Sequence, residues 1–164
     1  MAKKVNKGFV IVEVVAFLSI IVFIVCVSGR PVRDDVTMSE ISDAVFAAME
    51  TEESFSEADS QDLRKYYGLE ANEYEDVLLY LPSSNMDAAE LLIVVMTDES
   101  QGDELEEAMN DRLETQKNAF ESYGVEQMGI LNQAVICVEG RYGLFAVCSD
   151  ADEVKAAFKS TVEK

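Results

Sequence analysis

The chain has 164 residues, a formal net charge of −19 at pH 7 and no histidine. Nucleic-acid binding needs Lys and Arg to neutralise phosphates, so this balance argues against it, and against close contact with anionic lipid headgroups. The missing histidine removes the Ser-His-Asp triad, the Cys-His dyad and histidine-based transition-metal sites together.

In chain order, the first element is an apolar run. Residues 9–28 read FVIVEVVAFLSIIVFIVCVS, 20 residues with one charge, Glu13. At a rise of about 1.5 Å per residue a helix of this length reaches roughly 30 Å, the thickness of a bilayer's hydrocarbon core. It is apolar on every face, which a buried soluble helix of that length would not be. The core is longer than that of a cleaved secretory signal, and bulky Val25 and Val27 flank Cys26. Phe23, Ile24 and Val25 are also too bulky for the small-residue box before a lipidated cysteine. The reading is a retained single-pass membrane anchor behind a basic N-terminus, residues 1–8. Lys3, Lys4 and Lys7 with the α-amine, against Arg30 and Arg33, favour a cytoplasmic N-terminus and a C-terminal domain outside the cell membrane.

Gly29-Arg30-Pro31 breaks this helix, and residues 29–36 read as a linker. Residues 37–164 then form one acidic extracytoplasmic domain. Five of the 13 basic residues (Lys3, Lys4, Lys7, Arg30, Arg33) and one of the 32 acids (Glu13) precede Asp34. That leaves 8 Lys/Arg against 31 Asp/Glu from Asp34 onward. Such a charge keeps the domain soluble, and it also suits a cationic partner or loosely held metal ions.

Thr37-x-x-Glu40 is a capping box, and Ile41, Val45, Ala48 and Met49 follow at helical spacing, which predicts a helix over about 38–52. Residues 50–60 read as an acidic loop. Ser60 is expected to cap a short helix through Leu63 and Tyr67, stopped by Gly68. Val77–Leu81 and Leu91–Thr97 read as strands. Ser100-x-x-Asp103 opens a long helix to about Tyr123, with Leu105, Met109, Leu113, Gln116 and Phe120 on one face. Residues 134–139 and 142–148 form a hairpin about Gly140-Arg141, and Asp150-x-x-Glu153 starts a last helix. The predicted order is α-α-β-β-α-β-β-α. It implies an α+β domain, an antiparallel four-stranded sheet with helices on one face. In that hairpin Cys137 faces Leu144 and lies several rungs from Cys148, so both are expected as free, buried thiols.

Tyr66-Tyr-Gly-Leu69, Tyr80-Leu-Pro82, Glu90–Val94, Arg112-Leu-Glu-Thr-Gln116, Phe120, Tyr123-Gly124, Gly140-Arg-Tyr142 and Ala157-Phe158 together resemble the bacterial domain of unknown function family 4358 over roughly residues 37–162. The resemblance implies export and membrane anchoring. It implies no activity, and it offers no catalytic residue.

The chain holds no phosphate-binding glycine loop and no C-x-x-C pair, and no catalytic residue, cofactor or metal ligand is predicted. Asp150-x-Asp152-Glu153 lacks the loop spacing of a calcium hand and reads as an acidic helix start. Arg112 and Gln116, one helical turn apart, form with Lys117 a candidate anion contact; the alternative is a solvated arginine, or one paired with an acid elsewhere in the domain. Lys7-Gly8-Phe9-Val-Ile-Val-Glu13 is similar to the processing site of type IV pilins and pseudopilins. A carboxylate in the bilayer costs about 2.5–3.5 kcal/mol and wants a partner, which a neighbouring subunit's new α-amine would supply. The leading functional expectation is a non-enzymatic, membrane-anchored module that binds a protein partner. The alternative is a pilin-like subunit cleaved after Gly8, whose partner in a filament is a second copy of itself. An exported enzyme using carboxylates comes last.

Overall fold

The computed structural model describes residues 17, 19, 31–49, 55–122 and 124–164. The predicted anchor 9–28, apart from Phe17 and Ser19, lies outside the described residues, as do Gly8, Phe9 and Glu13. Among the described residues no helix is long and apolar enough to cross a membrane. The chain divides into two units, Met1–Pro31 and Val32–Lys164, and the second holds the sheet and its helices.

Helix α1, Met38–Ala48, starts at the predicted box: the Thr37 hydroxyl accepts from Glu40 N, and the Glu40 carboxylate accepts from Thr37 N at 3.0 Å. Strand β1, Phe55–Glu57, follows. Helix α2, Ser60–Tyr67, is capped not by Ser60 but by Asp59, whose carboxylate accepts from Gln61 N and Asp62 N, and it ends on Gly68, whose φ of 72° is the left-handed stop that the sequence predicts. Strands β2, Asp76–Pro82, and β3, Glu90–Val95, pair antiparallel, Leu79 opposite Leu92. Asp98 and Gln101 form a second capping box ahead of the long helix α3, Gly102–Phe120. Helix α4, Val125–Asn132, precedes β4, Val135–Glu139, and β5, Tyr142–Val147. Helix α5, Ala151–Val162, closes the unit. At the β4–β5 turn Gly140 takes a positive φ of 54°, and Cys137 pairs with Leu144 as predicted. Cys137 and Cys148 are both buried, and no disulfide joins them.

The sheet departs from the expectation in two ways. It has five antiparallel strands, not four, in the order β1-β2-β3-β5-β4. The added strand, β1, lies in the predicted acidic loop; three residues are too few to show an alternating pattern, and pairing with β2 creates it. Helices also cover both faces of the sheet rather than one. Leu91, Ile93 and Val95 of β3 face a core shared with Ile41 of α1 and Phe158 of α5. Leu92, Val94 and Met96 face a second core shared with Leu63 of α2, Leu105 and Met109 of α3, and Leu131 of α4. Every residue of β3 and β5 is buried in consequence. The unbroken run Leu91–Met96 is the sequence signature of a strand covered on both sides, which a one-layer reading overlooks. Close packing sets the remaining choices: at Gly143 of β5 a Cβ would run into Leu105.

The chain enters the unit on the α1/α5 face. Val32 bridges Glu163, Arg33 N donates to Val162 O at 2.8 Å, and Val36 N donates to the buried Tyr142 hydroxyl at 3.2 Å. Residues 32–36 of the predicted linker are thus packed on the domain.

Because both faces are sealed, a large-to-small change on either face opens a cavity. Leu105→Ala and Phe158→Ala are each expected to lower stability by about 3 kcal/mol, read by urea unfolding. A cost near zero on one face would restore the one-sided arrangement.

Candidate functional site

A groove of about 360 Å³ opens on the α2/α3 face. Its walls are Asp62 and Tyr66 of α2, Leu81 and Pro82 at the end of β2, Asn85 and Asp87 of the loop that follows, and one side of α3: Arg112, Thr115, Gln116, Ala119 and Phe120, with Ser56 of β1. Asp87 Oδ1 accepts from Ala89 N at 3.1 Å, and Ala88 N donates to Gln127 Oε1 of α4 at 3.1 Å, which fixes the loop.

Behind the α3 wall lies Glu90, the first residue of β3, with no exposed surface. Arg112 grips it with two nitrogens. Nε donates to Oε1 at 3.0 Å and to Oε2 at 3.1 Å, and Nη2 donates to Oε2 at 2.6 Å. Gln116 Nε2 donates to Glu90 Oε2 at 2.8 Å, and the Tyr67 hydroxyl of α2 donates to Oε1. A buried carboxylate needs such company, because an unpaired one would face a desolvation cost of several kcal/mol. Burial, together with the Glu90 charge, pushes the Tyr67 phenol well above its ordinary range. Burial works against the Arg112 charge, but the hydrogen bond and charge of Glu90 outweigh it and raise the guanidinium. The Arg112 guanidinium also stands 4.6 Å from the centre of the Tyr66 ring, and the Lys65 ammonium 4.4 Å.

Two polar groups keep bonding capacity. Gln116 is 4% exposed, and its amide orientation is set by two acceptors, Glu90 Oε2 and Ala88 O at 3.4 Å. That leaves Oε1 buried with no donor among the described residues. Arg112 Nη1, too, is not used by any of the bonds to Glu90.

The structure brings Arg112 and Gln116 of the predicted anion contact together, and the carboxylate between them is the chain's own. Lys117 is half-buried and does not line the groove. Glu90 and Tyr67 escape the sequence reading, yet a signal for them is present. Arg112 lies between Met109 and Gln116 on the buried stripe of α3, so a charged and an amide residue face the sheet there. That placement demands a buried acid, and Glu90 heads the most apolar strand.

Elsewhere the chemistry is quiet. Burial, with the Glu139 carboxylate beside it, pushes the Cys137 thiol up to about 11, so it is no nucleophile at neutral pH. Among the described residues no cluster of three His, Cys, Asp or Glu is arranged to hold a metal ion.

A family model described as "Domain of unknown function (DUF4358)" matches residues 47–148, well over half of the chain. The span includes the whole groove and the Glu90 cluster and stops short of α5. No curated protein and no solved structure matches the chain.

Removing one member of a buried ion pair strands the other. Glu90→Ala and Arg112→Ala are each expected to cost about 3 kcal/mol in urea unfolding, with Glu90→Ala/Arg112→Ala costing clearly less than the sum. Strict additivity would mean that the pair does not act as a unit.

Proposed function

The chain belongs to the family of domains of unknown function DUF4358, and from that premise we propose that it is a membrane-anchored, extracytoplasmic, non-enzymatic module that binds a partner in the α2/α3 groove. The observation that carries the reading is Gln116. Its carbonyl is buried in the groove wall and lacks a donor among the described residues. Leaving such a group unmatched costs about 1–3 kcal/mol, a cost that an occupant with an N–H or O–H would relieve. The groove is also of ligand size and mixes apolar walls with a few polar groups, as binding sites do.

The non-enzymatic part rests on the state of the carboxylates. Glu90 has both oxygens engaged by Arg112, Gln116 and Tyr67, which leaves it poorly placed to take a substrate proton. Asp87 is in part tied to backbone. Within this groove the exported-enzyme alternative would rest on Asp62 and Asp87.

The anchor rests on the length and apolarity of residues 9–28. A second reading, a pilin-like subunit, rests on Gly8, Phe9 and Glu13, whose spacing matches a processing site and would give Glu13 its partner.

Two experiments test these statements. N-methylacetamide, the smallest mimic of a peptide group, titrated into the isotope-labelled protein should shift the amide signals of Thr115, Gln116 and Ala119 before others. Perturbations no larger there than over the rest of the surface would discard the groove as a binding site. Intact cells treated with a membrane-impermeant amine reagent should yield protein labelled at the exposed Lys164, with Met1 or Ala2 still at its N-terminus by mass. Labelling only after lysis would reverse the topology, and N-methyl-Phe9 would establish the pilin-like subunit in place of the plain anchor.

A further inference from the structure

The groove carries a charge pattern that its shape alone does not require. Asp62 and Asp87 line it, and Glu90 sits directly behind its wall. Against these three carboxylates stands one lining cation, Arg112, whose charge is already engaged by Glu90. Lys65 is held by the Tyr66 hydroxyl at 2.9 Å and does not line the groove. The surrounding domain adds to the same field, with 8 Lys/Arg against 31 Asp/Glu from Asp34 onward. An anion approaching this groove is repelled and a cation is attracted, since walls of low polarity focus the field of the charges that line them.

Charge is only the first of three demands. Gln116 Oε1 lacks a donor among the described residues, and Arg112 Nη1, one helical turn away, is left over by the bonds to Glu90. A peptide group answers both from one planar unit, with an N–H and a C=O. Oε1 has no exposed surface, so an occupant meets it only if the amide turns and exchanges its bonds to Glu90 and Ala88 for bonds to the occupant. The third demand is for apolar contact. Tyr66, Pro82 and Phe120 form walls against which the methylene stem of a lysine or arginine packs while its charged head reaches an acid.

We propose that the occupant of the groove is a basic segment of polypeptide, with a main-chain peptide group at Arg112 and Gln116 and a Lys or Arg side chain directed to Asp62 or Asp87. The proposal rests on the reading of the groove as a binding site and adds the chemistry of the partner. It also replaces an anionic ligand with a cationic one: Arg112 serves as a neutralised hydrogen-bond donor rather than as a free positive charge.

The test uses the full chain in nanodiscs of zwitterionic lipid, so that a cationic probe has no anionic surface to adsorb to. The probes are Ac-Gly-Lys-Ala-Lys-Gly-NH2, its counterpart with both lysines replaced by glutamate, and spermidine. The lysine peptide is expected to shift Thr115, Gln116 and Ala119 and to bind at least about tenfold more tightly than the glutamate peptide, a gap that narrows as salt rises. In the conservative variant Asp62→Asn/Asp87→Asn the two peptides should come within about twofold of each other, because the rim charges that separate them are gone. Equal or tighter binding of the glutamate peptide would overturn the basic class, and spermidine matching the lysine peptide would overturn the peptide requirement. Binding of the lysine peptide away from Thr115 and Ala119 would overturn the placement. In each of these cases N-methylacetamide at the groove would leave the binding-site reading intact, whereas its failure there together with both peptides would end both proposals.

Discussion

The carboxylate of Glu90 is the constraint on which the α2/α3 face is built. Among the described residues it is the one charged side chain that is fully buried, and the buried amide of Gln116 is bonded to it. A buried charge is tolerated only when its partners are in place, so α2 and α3 must each deliver donors to the one point where β3 begins. Apolar packing is non-directional and would accept small slides of α3 along the sheet. The two-nitrogen grip of Arg112 would not, because its planar fork fits a carboxylate in few orientations. The Glu90 cluster therefore specifies position as much as stability. Since Arg112 and Gln116 are also groove wall, the same bonds set the shape of the groove.

The two faces of the sheet divide the work. On the α1/α5 face the core is apolar and includes the point where the chain enters, with Val32, Val36 and Tyr142 packed there. That face ties the entering segment to the domain. The opposite face carries the buried polar residues, the groove and its acids. A partner bound in the groove meets a surface that residues 32–36 do not occupy. The family match, which ends before α5, spans the groove face and the sheet but leaves out most of the entry layer.

Much of this is legible in the sequence wherever a local rule decides the outcome. The capping box at Thr37, the left-handed stop at Gly68 and the turn at Gly140 each follow from a few neighbouring residues. What escapes depends on distant pairing. Strand β1 exists because β2 offers it an edge, and its three residues carry no pattern of their own. Helix α4 has no clear signal because Gly129 interrupts it and its apolar residues, Val125, Met128, Ile130 and Leu131, do not repeat on a single stripe; only Leu131 is buried. A one-sided layer follows from weighing the half-polar helices above the fully apolar strands. At the site, Arg112 and Gln116 are visible as polar residues on an apolar stripe. Glu90 is not, because nothing local links residue 90 to residue 112. The partner of a buried charge is a fact of topology.

The acidic excess then reads differently for its buried and exposed members. With so many carboxylates, any two brought together by chance carry little meaning, and most serve to keep the domain soluble. Glu90 is the exception, because burial strips water from its carboxylate and the fold answers with donors from three side chains. Those donors use up its chemistry, which is why the most conspicuous acid of the domain is the poorest candidate for catalysis. Asp62 and Asp87 are the reverse case: they keep solvent-facing surface, line a groove, and share it with the Gln116 amide, whose carbonyl lacks a donor among the described residues. The closed carboxylate holds the wall and the open ones give the groove its charge, and on that division the proposed recognition of a basic partner rests.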